Sequence, residues 1–133
     1  MWARIHGKSM VPFLWPAAAV FIRPCAEADL RCGHIVVCKR EGGFVAHRLM
    51  QKVWRDDRLY VRLKGDAALT ADHLVCADDI AGVVSIGCCG RRMLRMDTAC
   101  ARLAGLCLAV TIPFVVIIQQ RLKSFLIKAC AIR

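Results

Sequence analysis

Apolar and polar positions divide this chain into two unlike parts. Up to about residue 86 the apolar residues come in short runs, several of them alternating with polar ones. Met1 to His6 alternates and predicts a short strand leading into Gly7, and Ala18 to Arg23 is a second run, ended by Pro24. His34 to Cys38 predicts a third strand, and Glu41-Gly42-Gly43 is the hairpin turn after it. Phe44 to Val53 is a longer strand, and Leu59 to Leu63 returns from a turn at Arg55 to Arg58. Lys64 to Asp72 predicts a loop, and Ile80 to Ile86 is the last clear strand. Short strands with turns at intervals of about ten residues imply a mainly β core, either a bent antiparallel sheet or a partly open β-barrel.

The second part has a different rhythm. Cys88 to Arg95 is basic and reads as a connector, and from Ala99 to Ile118 the chain is apolar except for Arg102, Thr111 and the backbone break at Pro113. The expected organisation is a β domain over residues 1–90, a basic connector over 91–98, an apolar helix over 99–118 and a basic amphipathic tail over 119–133. The apolar helix approaches the roughly 20 residues that cross a bilayer, with Arg102 reaching back to the interface. A proline is tolerated in such a helix. A helix lying in the interface or docked on a partner, and a core helix, are the alternatives, and the tail suits an interfacial helix.

Composition changes this picture in two places. The net charge of +10 permits nucleic acid or an anionic membrane surface as partners. The basic residues are scattered and no nucleic-acid motif accompanies them, so a membrane is expected and nucleic acid is not. The chain has nine cysteines, an odd number. They form no paired Cys-x-x-Cys motif, which argues against structural zinc and for free thiols on a reducing side. No metal or cofactor is expected.

The chemistry concentrates in three stretches. Gly7-Lys8-Ser9-Met10-Val11-Pro12 holds a serine in a turn, Val45-Ala46-His47-Arg48 puts a histidine within a strand, and Lys64-Gly65-Asp66 is followed by Asp72. A serine hydroxyl becomes a nucleophile when a neutral base takes its proton, and histidine serves near neutral pH with little tuning. Strand alternation puts Val45, His47 and Leu49 on one face and Ala46 and Arg48 on the other. Taken singly, His47 would read as an ordinary strand histidine and the two aspartates as solvated loop acids.

In this order and spacing the three stretches resemble the type I signal peptidases and their relatives, the self-cleaving repressor domains. The resemblance covers roughly Ile5 to Val84. It implies a nucleophile at Ser9 and a general base at His47, as in the histidine branch of that family. An acid from the Asp66 and Asp72 pair would support the base. By analogy Asp72 orients His47 and Asp66 braces the loop, although the sequence does not separate them. Gly7, Ser9 and Met10 would meet the substrate carbonyl, with the Ser9 backbone N–H as the expected oxyanion donor. His6 and His73 are expected to be incidental.

The chain departs from the family pattern at Pro16-Ala17, Gly33-His34 and Gly65-Asp66-Ala67, where turn residues differ. The leading membrane anchor most signal peptidases carry is not seen before Ser9, which opens the question of substrate. The function implied is a membrane-associated serine endopeptidase that cuts a signal or precursor peptide after small residues. The alternatives are a catalytically inactive, membrane-tethered peptide-binding domain and a self-cleaving regulator. Basic residues flank the apolar run evenly: Arg91, Arg92, Arg95 and Arg102 stand before it, and Arg121, Lys123, Lys128 and Arg133 after it. The positive-inside rule is therefore undecided. The unpaired cysteines favour a cytoplasmic face for the domain.

Overall fold

The computed structural model of the chain describes residues 1–89 and 92–130. Eight strands form one antiparallel sheet, and a long helix follows it. The strands are β1 (Trp2–Arg4), β2 (Ala19–Arg23), β3 (Ile35–Arg40), β4 (Gly43–Arg55), β5 (Arg58–Lys64), β6 (Leu74–Cys76), β7 (Ile80–Cys89) and β8 (Arg92–Arg95). The helix is α1 (Ala99–Cys130). Their order across the sheet is β1-β2-β7-β3-β4-β5-β6, with β8 paired to β7. β1 and β6 remain edges, so the sheet is open and does not close into a barrel.

Alternation along the strands builds two apolar cores, one on each face. Val36 and Cys38 of β3, Leu49 of β4, Leu59, Val61 and Leu63 of β5 and Val83 of β7 share one cluster with Leu30. Their neighbours Ile35, Val37 and Val84 point the other way, into a cluster with Met10, Leu14, Val20, Ile22 and Met96. Met10 and Leu14 are almost wholly buried. The turn that carries Ser9 is thus pinned to the second core by the residues that follow it. The β3–β4 hairpin turns at Gly43, whose φ of +125° is one that glycine adopts freely.

The structure adds to the sequence reading and corrects it at the connector. The expected basic connector contains β8, which pairs with the end of β7 from Ile86↔Arg95 to Cys89↔Arg92. The loop expected after β5 is present from Gly65 to Asp72, and a short strand that was not expected, β6, follows it and pairs with β5. The stretch expected as a tail continues α1 without interruption to Cys130. Residues 131–133, and Gly90 and Arg91 of the connector, lie outside the described residues.

One helix of the described chain is long and apolar enough to cross a membrane, Ala99–Leu122, with a mean hydropathy of 2.3. Thr111 does not break the apolar surface, because its hydroxyl donates back to the carbonyl of Cys107 at 2.9 Å. Arg102 does not reach toward a lipid interface as expected. Its backbone and Cβ pack against Gly33 of the β domain, and its Nε is buried with no hydrogen-bond partner among the described residues.

Candidate active site

Ser9 and His47 come from distant parts of the chain and meet at one side of the sheet. His47 is on β4 opposite Val36 of β3, and its ring is mostly covered. Its Nε2 lies 3.2 Å from Ser9 Oγ, and its Nδ1 lies 2.6 Å from Asp72 Oδ2. With Nδ1–H donated to the carboxylate, Nε2 is left as the acceptor for the serine hydroxyl proton. The three side chains therefore stand in the sequence nucleophile, base, acid that serine acyl transfer requires. Asp72 is itself placed by the N–H it donates to the Leu63 carbonyl at 2.7 Å, which ties the far end of the loop back to β5.

Asp66 does something else. Its two oxygens accept Nε and Nη2 of Arg48 at 2.7 and 2.6 Å, a bidentate pair with both side chains essentially inaccessible. Arg48 Nη1 donates to the Gly33 carbonyl at 2.7 Å, and the guanidinium lies 4.7 Å from the centre of the Phe13 ring. Alternation along β4 sends His47 and Arg48 to opposite faces, and each finds one of the two aspartates.

Immediately before Asp66 the chain passes directly behind Ser9. A Cβ on Gly65 would stand 2.8 Å from the Ser9 carbonyl oxygen, 2.9 Å from Ser9 Cβ and 3.4 Å from His47 Nε2. Only a glycine allows this approach. The Ala67 N–H then donates to the Ser9 carbonyl at 2.9 Å and holds the two segments together.

The groove in front of Ser9 is open and apolar. Gly7 has a φ of +107°, and the space where its Cβ would stand is empty. Among the described residues the backbone N–H groups of Ser9 and Met10 donate to nothing, so both remain for an oxyanion. Beside Ser9 lies a cavity of about 240 Å³ walled by Ala3, Ile5, Val20, Ile22, Val37, Val45 and Ala46. The ladder of β4 with β5 begins at Arg48, so Phe44 to His47 keep an unpaired edge toward this groove. β1 offers a second free edge across it. His6 lines this cavity, and His73 lines a shallower cleft with Arg40, Val45, His47 and Asp72. Neither histidine makes a hydrogen bond to Ser9, His47 or Asp72.

The parts played by two residues were not legible in the sequence. Arg40 places Nη2 3.3 Å from the Asp72 oxygen that holds His47. Lys64 is buried at the end of β5, where loss of solvent pulls its pKa down and the nearby Asp66 opposes that shift. Lys64 stands in the Lys64-Gly65-Asp66 stretch, which gave it no role of its own, and no local pattern announced Arg40; both act on partners far away in the chain. Among the described residues no group of three or more His, Cys, Asp or Glu side chains is placed to hold a metal ion. Compared with models of known protein families, with curated proteins and with solved structures, the chain matches none.

Proposed function

We propose that this protein is a serine endopeptidase similar to the type I signal peptidases, using Ser9 as nucleophile and His47 as general base. The observation that carries the reading is the continuous Ser9–His47–Asp72 chain of contacts, with both distances in hydrogen-bond range. In the first step His47 Nε2 takes the Ser9 proton as Oγ attacks the scissile carbonyl, and the Ser9 and Met10 N–H groups receive the oxyanion. The imidazolium then protonates the leaving amine, and water, activated by the same nitrogen, releases the acyl group. The substrate is an extended peptide added between the free edges of β1 and β4, with small apolar side chains before the scissile bond entering the cavity beside Ser9. The helix α1 associates this activity with a membrane. Free thiols throughout the domain favour its cytoplasmic face.

The decisive experiment is cleavage of peptides with small residues before the scissile bond, read by mass spectrometry. Wild type should cut, and Ser9→Ala and His47→Ala should lose essentially all activity while keeping the wild-type circular dichroism spectrum. Cleavage persisting in purified Ser9→Ala would overturn the reading, and a folded wild type that binds such peptides uncut would make this a peptide-binding domain. Orientation is read separately with a membrane-impermeant maleimide. The exposed Cys32 should stay unlabelled in intact cells and react after lysis.

A further inference from the structure

The helix α1 touches the β domain along one stripe, and that stripe leads to the active site. A Cβ on Gly33 would collide with Arg102, and a Cβ on Gly105 would stand 2.1 Å from the Arg48 guanidinium. One turn further on, Lys64 Nζ donates to the Ala109 carbonyl at 2.7 Å. Positions 102, 105 and 109 share one helix face. Arg48 and Lys64 are themselves cross-strand partners on β4 and β5. Two neighbouring cations of the sheet therefore meet α1 at points one turn apart.

The bond to Ala109 has a local cause. In an α-helix the carbonyl of residue 109 accepts the N–H of residue 113, and residue 113 is proline. Pro113 leaves the Ala109 carbonyl without its helical donor. Ala109 is fully buried, so water does not replace that donor. Lys64 fills the vacancy. The same lysine donates to the Gly65 carbonyl at 3.3 Å, and Gly65 is the residue packed behind Ser9 and His47.

We infer that Lys64 is a positioning residue that couples α1 to the Ser9–His47 pair, through a helix carbonyl that Pro113 leaves open. The membrane helix is then part of the active-site frame as well as an anchor. The positioning half of this inference rests on the peptidase reading above. The bond itself does not.

Its test is a double-substitution cycle on the full chain in detergent micelles: wild type, Lys64→Met, Pro113→Ala and the pair. Urea unfolding followed by tryptophan fluorescence reads the first half. Pro113→Ala improves helix propensity in either background. It should stabilise more when Lys64 is absent, because only then does its new N–H rescue an orphaned carbonyl. The excess should be roughly tenfold or more in the unfolding equilibrium constant, as expected for a hydrogen bond to a charged donor. Should Lys64→Met fail to fold alone, folding of the pair shows the same coupling in stronger form. Additive effects, or a pair that also fails to fold, would overturn the link.

Peptide cleavage reads the second half. The rescued pair should show kcat reduced about tenfold with KM nearly unchanged, because binding edges are kept while Gly65 loses its anchor. A stable pair with wild-type kcat would make Lys64 structural only and overturn the positioning role. A wild type that cleaves nothing removes the peptidase reading and the positioning role with it, while the unfolding cycle still decides whether the bond exists.

Discussion

His47 and Arg48 are adjacent on one strand, and each is paired with one of two aspartates six positions apart, yet the two pairs live in different media. The His47 and Asp72 side chains keep 14% and 25% of their exposure, whereas Arg48 and Asp66 keep 1% and 0%. The first pair borders a groove, where a proton can be exchanged with substrate and solvent. The second is sealed between the sheet, Phe13 and α1, where no proton or ligand can reach it. A charge buried so completely tolerates no vacancy around it. The difference separates two settings for an aspartate paired with a basic residue: His47 and Asp72 stand where the proposed chemistry needs them, while Arg48 and Asp66 hold the frame around them.

The comparison breaks most visibly at the sealed pair. Asp66→Ala leaves a guanidinium buried without its counter-charge, a change that costs on the order of 3–5 kcal/mol. Set against a typical domain stability of about 5–15 kcal/mol, that is enough to lower the urea midpoint sharply and to reduce soluble yield. Replacing both partners, as in Arg48→Met with Asp66→Leu, should recover much of the loss, because apolar side chains leave no unpaired charge. Equal stability of Asp66→Ala and wild type would show that the pair is not structural.

Asp72 should respond in the opposite way. Asp72→Asn keeps the shape of the loop but no longer holds Nδ1–H, so the imidazole is free to adopt the wrong tautomer for accepting the Ser9 proton. Peptide cleavage should fall by roughly a hundred- to ten-thousandfold. Stability should move by less than about 1 kcal/mol, because the carboxylate is partly solvated and its pairs with His47 and Arg40 are screened. The reverse pattern, with activity lost at Asp66 in a folded protein and kept at Asp72, would exchange the two roles.

Much of this was readable before the structure, and the parts that were not share a cause. A strand has a side-chain period of two, so the split of Val45, His47 and Leu49 from Ala46 and Arg48 followed from spacing alone. Six of the eight strands also announced themselves as short alternating or apolar runs between turns. Arg92–Arg95 read as a connector because its composition is basic, and only pairing with β7 makes it a strand. The loop from Gly65 to Asp72 has no period, so nothing local could say which aspartate turns toward which β4 residue. The charges at Arg121 and Lys123 looked like the end of the apolar helix, yet no Gly or Pro follows Pro113 to stop it. The contacts of Gly33 with Arg102 and of Lys64 with Ala109 join segments far apart in sequence, and no pattern encodes such a meeting.

The smallest expected effect concerns pH and bears on the sealed pair alone. His34 follows the glycine whose carbonyl receives Arg48 Nη1, and it is itself buried. Its Nδ1 accepts the backbone N–H of Arg31 at 3.2 Å, so that nitrogen carries no proton in the fold. Burial holds its pKa below the ordinary histidine value, and the Arg102 cation pushes in the same direction; Arg23 and Arg31 add to this and Asp97 opposes it. The unfolded chain takes up this proton near pH 6.5 and the folded chain takes it up only at lower pH. The stability that depends on neutral His34 is therefore complete above about pH 6.5 and is lost as pH falls from there through the folded value. An asparagine at this position can accept the Arg31 N–H through its amide oxygen and does not titrate. Urea midpoints measured at pH 8 and pH 5.5 should drop more for wild type than for His34→Asn, with the other histidines cancelling in the difference. Identical drops would mean that His34 takes up its proton equally in both states. In that case acid would not act on the frame around Arg48, and any loss of cleavage at low pH would belong to the Ser9–His47 pair.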